Sequence, residues 1–384
     1  MTMAGNKVLR TRLCDILGIE YPIMLAGMGT CSGPTLAAAV SNAGGLGVLG
    51  ASGLSPEEVR GWIEKTKRLT DKPFGLDLIL PHELSDSMPL PENLKSLLPA
   101  EHVAFVERLM GELELEPVEP TDFWSRISMD VVQEVVRTCL DEGVALFASG
   151  LGNPGWIVPE ARRRGMRVTG CVGNTKNAVR LKEAGVDFVV AQGYDGGGHT
   201  GRVGTMSLIP QAVDAVAPLP VVGAGGIMDG RGLAAALALG AEGVWVGTAF
   251  LATREANVDA FDLGSMFVSP LWAEVWNRRM LEADDEGTVV SKISTGKTAR
   301  HIKNRLIDIW DRSGLGYLPM PLQGFLIWDL YVSISKSGRS DLVVPMAGQG
   351  VGLVKEIRSA ADVLRDMVEG AIEILSGKSP AGIV

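Results

Sequence analysis

The feature that most constrains this chain is a recurrence. Between Pro22 and Val246, eight short apolar runs alternate with amphipathic stretches, and glycines sit at the ends of the runs. A short apolar run suits a strand covered on both faces, and the stretch after it supplies the covering helix, so the alternation reads as repeated parallel βα units. The strands are expected at 22–26, 46–50, 74–80, 144–148, 167–172, 187–191, 220–224 and 243–246. One helix start is spelled out: Ser55 as N-cap, Pro56 in the first turn and Glu58 three residues after the cap, with Val59, Trp62 and Ile63 on one face. Eight units predict an α/β fold, a (β/α)8 TIM barrel. A doubly wound open sheet is the alternative, because periodicity does not show closure.

A barrel of this kind needs about 250 residues, and the chain has 384. The surplus falls in two places. Residues 82–125 form a Pro- and Glu-rich insert after the third strand, and residues 259–340 a mainly helical insert after the eighth. That leaves 10–258 and 341–384 for the barrel, with an amphipathic segment at 360–375 as its closing helix. The second insert carries Trp272, Trp276, Trp310 and Trp328, half of the eight tryptophans. Side chains of that size outside a barrel must cover something, either the barrel mouth as a lid or the interface of a homodimer.

Composition excludes several functions. Apolar residues make up 46% and charged residues 21%, which is globular rather than disordered. The net charge of −9 provides no basic field for nucleic acid. Cys14, Cys31, Cys139 and Cys171 form no CxxC pair and read as reduced thiols of a cytoplasmic protein, and the start MTMAGNKVLR lacks a signal peptide's apolar run. The stretch 232–252 is interrupted by Glu242 and glycines, so it reads as buried helix and strand rather than a membrane span. His82, His102, His199 and His301 show no metal-ligand spacing, so no metal is expected.

Two nominal motifs carry little. Gly45 to Gly50 fits GxGxxG but runs from helix into strand, the reverse of a dinucleotide fingerprint. Gly296-Lys297-Thr298 resembles the end of a P-loop, but Ser291 stands where the earlier glycine is required.

Two other segments bear the chemistry. Gly225 and Gly226 end the seventh strand, and Gly247-Thr248 ends the eighth. In barrels these loops frequently build a phosphate site, with main-chain N–H groups free to approach the anion. After the sixth strand, Gln192-Gly193-Tyr194-Asp195-Gly196-Gly197-Gly198-His199 places an imidazole in a glycine-rich loop. His199 suits either a base for a weakly acidic C–H or an ordinary loop histidine.

The segments QGYDGGGHTG, AGGIMDGRGLAAALALGAEGVWVGTAFLATRE, PIMLAGMGT, STGKTARHIKNR and MAGQGVG resemble the nitronate monooxygenases, over nearly all of residues 10–375. The resemblance implies FMN as cofactor, and O2 and an alkyl nitronate as reactants. By position, the FMN phosphate would rest on Gly225, Gly226, Gly247 and Thr248. Gln192 and Gly197 would hold the ribityl chain and ring edge, and Ala26, Gly27 and Met28 would lie against the isoalloxazine. Trp245 and Val246 lead into the phosphate site, and His199 matches the family's base. Asp77 stands where relatives commonly carry Asn.

Flavin-dependent enoyl-acyl-carrier-protein reductases share the barrel, so an NAD(P)H-dependent reductase of an enoyl thioester or quinone is the rival reading. Lys297, Arg300, Lys303 and Arg305 would then meet a cofactor phosphate, or form a solvated helical face. A non-catalytic phosphate-ligand binder is the third reading.

Overall fold

Runs such as Phe188-Val189-Val190-Ala191 become strands because both of their faces find apolar cover. The computed structural model describes residues 9–80, 94–118, 128–259 and 272–377. In it the barrel strands are β1 (Ile23–Leu25), β2 (Gly47–Gly50), β3 (Phe74–Ile79), β4 (Leu146–Leu151), β5 (Arg167–Val172) and β6 (Phe188–Gln192). A two-residue strand β7 (Gly198–His199) follows, and then β8 (Val221–Ala224) and β9 (Gly243–Val246) complete the barrel. The eight-stranded sheet has the order β1-β9-β8-β6-β5-β4-β3-β2, all pairs parallel. Its two edges meet where Leu25 N–H donates to the Leu46 carbonyl and Leu46 N–H to that of Ile23, both at 2.9 Å. This bridge makes the sheet a barrel and removes the open-sheet alternative. One boundary differs noticeably from the sequence reading. Val144 lies in the turn that closes the preceding helix, its N–H donating to the Cys139 carbonyl at 3.0 Å, so β4 starts at Leu146 and runs on to Leu151.

The covering helices are α2 (Pro34–Asn42), α3 (Pro56–Leu69), α5 (Met129–Asp141), α6 (Val158–Arg164), α7 (Thr175–Glu183), α8 (Thr205–Val216), α9 (Gly230–Ala238) and the closing α14 (Ala360–Leu375), with the one-turn α10 (Thr248–Leu251) directly after β9. Helix α3 starts with a complete capping box: the Ser55 hydroxyl accepts from Glu58 N–H, and the Glu58 carboxylate from Ser55 N–H. Gly47, part of the discarded GxGxxG, lets α2 lie on β2, since a Cβ there would overlap the Ala37 carbonyl. Inside the barrel, Met24, Val48, Leu146, Phe188, Val190, Val222 and Trp245 pack together, and Leu13, Cys14 and Leu17 of α1 (Arg12–Leu17) plug the N-terminal end. Strand β3 adds nothing to this filling. Leu76 and Leu78 belong to the outer core, so the alternation turns Gly75, Asp77 and Ile79 inward and leaves room above them.

The second insert contains α11 (Trp272–Glu282), α12 (Arg305–Arg312) and α13 (Leu322–Ser337), and also an antiparallel hairpin of β10 (Thr288–Ser291) and β11 (Ala299–Ile302). Strand β11 pairs with β7, aligning Ala299 with His199 and Arg300 with Gly198. The first insert contributes α4 (Ala100–Glu112). Its Phe105 meets the Trp310 ring edge-on at 5.2 Å, and Trp310 stacks on Tyr317 at 5.9 Å. The Ser333 hydroxyl donates to the Glu116 carbonyl at 2.6 Å, so the two inserts share one small core. Residues 82–93, 119–125 and 260–271 of the two inserts, and the side chain of Trp272, lie outside the described residues. No helix among the described residues is long and apolar enough to cross a membrane.

Candidate active site

A cavity of about 470 Å³ opens at the C-terminal ends of the barrel strands, the face on which barrel enzymes carry their chemistry. Ala26, Gly27, Met28, Asp77, Gln192, Gly197, His199, Gly225, Gly226, Trp245, Gly247 and Thr248 all line it. Val246 does not. Strand alternation turns its side chain outward into the core between strands and helices, and its carbonyl accepts from Ala26 N–H at 2.9 Å. Trp245, one residue earlier, is the inward neighbour.

The phosphate-type corner lies between β8 and β9. Gly225 and Gly226 adopt φ of +103° and +72°, left-handed values that a side chain would strain. Among the described residues, no group accepts a backbone bond from the N–H of Gly225, Gly226, Gly247 or Thr248. The Thr205 hydroxyl donates to the Gly225 carbonyl at 3.0 Å, which fixes the turn from behind. A late loop completes the corner: Gly348 N–H donates to the Thr248 hydroxyl at 2.9 Å. A Cβ on Gly197 would come within 2.7 Å of the backbone of Ala347 and Gly348. The run MAGQGVG was visible in the sequence, but its place beside this corner was not.

Gln192 staples the loop after β6. Its side-chain amide donates to the His199 carbonyl at 2.8 Å and to that of Gly197 at 3.4 Å. Asp195 accepts from Thr205 N–H at 2.8 Å and anchors the same loop to α8. His199, on β7, is held by the hairpin, with Nε2 2.8 Å from Thr295 Oγ1. Burial, assisted by the charge of Lys297, lowers its pKa to about 4, so the imidazole is neutral at neutral pH. His301 lies on the same face of β11 as Ala299, the partner of His199. Burial and the neighbouring His199 lower its pKa to about 3.

The basic cluster does not form one helical face. Arg300 lies on a strand, 3% exposed, and its guanidinium donates to the Tyr194 carbonyl and the Thr288 hydroxyl, both at 3.1 Å, while covering the Tyr194 ring. It clamps the β6 loop to the hairpin. Lys303 and Arg305 point to solvent, the latter paired with Asp341 at 3.2 Å. No Lys or Arg is among the described residues that line the cavity.

The roof comes from the second insert: Trp276, Ser294, Thr295, Met320, Trp328, Tyr331 and Val332, joined by Val343 and Met346. Sequence reasoning named the tryptophans but not which of them line the cavity. Trp276 and Trp328 do, whereas Trp310 is buried in the core shared by the inserts. Ser294 and Thr295 precede the glycine of the false P-loop, and no spacing signal marked them.

The nitronate monooxygenase family profile matches residues 10–370. A relative from Staphylococcus saprophyticus, named a probable nitronate monooxygenase, is 32% identical over 96% of this chain and 99% of its own. A Mycobacterium tuberculosis relative named as a monooxygenase is 36% identical over 95% and 97%. Among solved structures, the nitroalkane oxidase of Streptomyces ansochromogenes superposes with a TM-score of 0.76 at 27% identity, covering 96% of this chain and 99% of that one. FabK from Thermotoga maritima gives 0.73 at 30% identity, covering 96% and 98%.

Proposed function

The chain belongs to the nitronate monooxygenase family of oxidoreductases, and we propose that it binds FMN and oxidises alkyl nitronates with O2 to a carbonyl compound and nitrite. The observation that carries this reading is the corner of four unpaired N–H groups at the β8 and β9 ends, opening into a cavity with a neutral histidine. The residues fit an FMN phosphate. Two left-handed glycines hold a turn that a Cβ would strain, and Thr248 adds a hydroxyl. With no Lys or Arg lining the cavity among the described residues, main-chain dipoles would carry the anion. Bound there, FMN would supply the electron acceptor for the nitronate.

The protein's own residues then orient the substrate. The Thr295 hydroxyl fixes one ring nitrogen of His199, which leaves the other for the ligand. An imidazole with a pKa near 4 stays uncharged but is a weak base, so it serves a preformed nitronate better than a neutral nitroalkane that must first lose a proton. The roof of Trp276, Met320, Trp328, Val332, Val343 and Met346 excludes water and offers hydrocarbon contact, with no cation for a second anionic group.

Oxygen uptake and nitrite release test this reading. Preformed nitronates should exceed the parent nitroalkanes in kcat/KM by ~10-fold or more, and His199→Asn should widen the gap. Each added methylene should raise kcat/KM by up to ~4-fold until the cavity is full. A carboxylate-bearing nitronate turned over better than its alkyl counterpart would contradict the apolar roof. The likeness to FabK favours a reductase as the second reading. Rapid anaerobic bleaching of flavin colour by NADPH, with no nitrite from nitronates, would decide for it.

A further inference from the structure

Asp77 lies inward on β3 at the floor of the cavity. The residue is 7% exposed, and its Oδ1 is buried with no hydrogen-bond partner. Two glycines bring backbone against the carboxyl group. A Cβ at Gly27 would overlap the Asp77 side chain, and one at Gly150 would come within 3.1 Å of Oδ2. From β5 the neighbour is Cys171, a half-buried thiol whose pKa is raised by burial first and by Asp77 second. Among the described residues, none of these three neighbours carries a positive charge, and no Lys or Arg lines the cavity. An ionised carboxylate here would lack both water and a counter-ion.

We infer that Asp77 works as a neutral carboxylic acid whose proton is donated to the polar edge of the bound flavin ring. A protonated carboxyl offers one O–H donor and one carbonyl acceptor, the same pair that an amide side chain presents. It can therefore make the hydrogen bonds of an asparagine at this place. Burial holds the Asp77 proton on well above the usual carboxylate range, and the Gly150 amide offsets only part of that effect. Among the described residues, the other titratable groups lining the cavity are His199, Cys31, Cys171 and Tyr331; burial keeps each uncharged at neutral pH, and none draws the proton off. Reduction of the ring adds electron density, which a neutral donor welcomes and a carboxylate would oppose.

The inference rests on the flavin reading, and infrared difference spectroscopy of the full chain separates the two. At neutral pH the protein should show the carbonyl band of a protonated carboxylic acid, lost in Asp77→Asn and moved to lower frequency by added FMN. Flavin fluorescence titration should find Asp77→Asn within ~3-fold of the parent affinity for FMN, and Asp77→Leu weaker by up to ~10-fold, the worth of one lost hydrogen bond. Failure of FMN to bind at all would sink the flavin reading. Bound FMN with no protonated-acid band, or with a band it leaves unmoved, would overturn the role of Asp77 alone.

Discussion

At the scale of single residues, the site is built from groups kept uncharged by burial. His199 and His301 are the clearest, with pKa values of about 4 and about 3. Both lie below the unfolded value of about 6.5. As pH falls, the unfolded chain therefore takes up protons first. Stability should decline from about pH 6.5 and level off below about pH 3, where the folded protein is protonated too. For His199 the loss is on the order of 3 kcal/mol. Thermal melting across this window should show the decline, and His301→Gln should flatten it; an unchanged slope would mean that His301 is not buried neutral. Sequence could name His199, Gly225 and Gly226, because glycine doublets and a loop histidine are local signals. It could not give the surroundings of Asp77, which depend on two backbone segments and a thiol that only the closed barrel brings together.

Among the elements, the helices and barrel strands were legible because each carries its own periodicity, as the capping box before α3 shows. The β10–β11 hairpin was not. Each strand has four residues, and the partner of β11 is the two-residue β7 about a hundred positions earlier. The basic spacing of Lys297 to Arg305 instead suggested a helix face. Val246 is the converse lesson: period two along β9 already implied that it and Trp245 face opposite sides. The packing of the β6 loop on the late loop can be probed with one glycine pair. Gly197→Ala drives a Cβ into the Ala347–Gly348 backbone, whereas a Cβ at Gly204, in the same loop, meets nothing within 4 Å. Gly197→Ala should lower FMN affinity by ~10-fold or more and Gly204→Ala should leave it unchanged, both folded by circular dichroism. Equal affinity in the two variants would show that the contact does not shape the site.

For the molecule as a whole, counting βα units gave the number of staves, and only the Met24–Leu46 bridge shows that they close. Closure of β1 on β2 brings Asp77 of β3 round to Gly27 beside the β8–β9 end, so that the corner, the Asp77 floor and the insert roof enclose one volume. The inserts were visible as surplus length, but not their joint core of Phe105, Trp310 and Tyr317. The central claim is that main-chain N–H groups at this corner grip a phosphate. Titration of flavin-free protein with FMN and with riboflavin, which lacks only the phosphate, tests it most directly. FMN should bind at least ~100-fold tighter, and Gly226→Ala should erase most of that difference. Riboflavin bound as tightly as FMN would contradict the account.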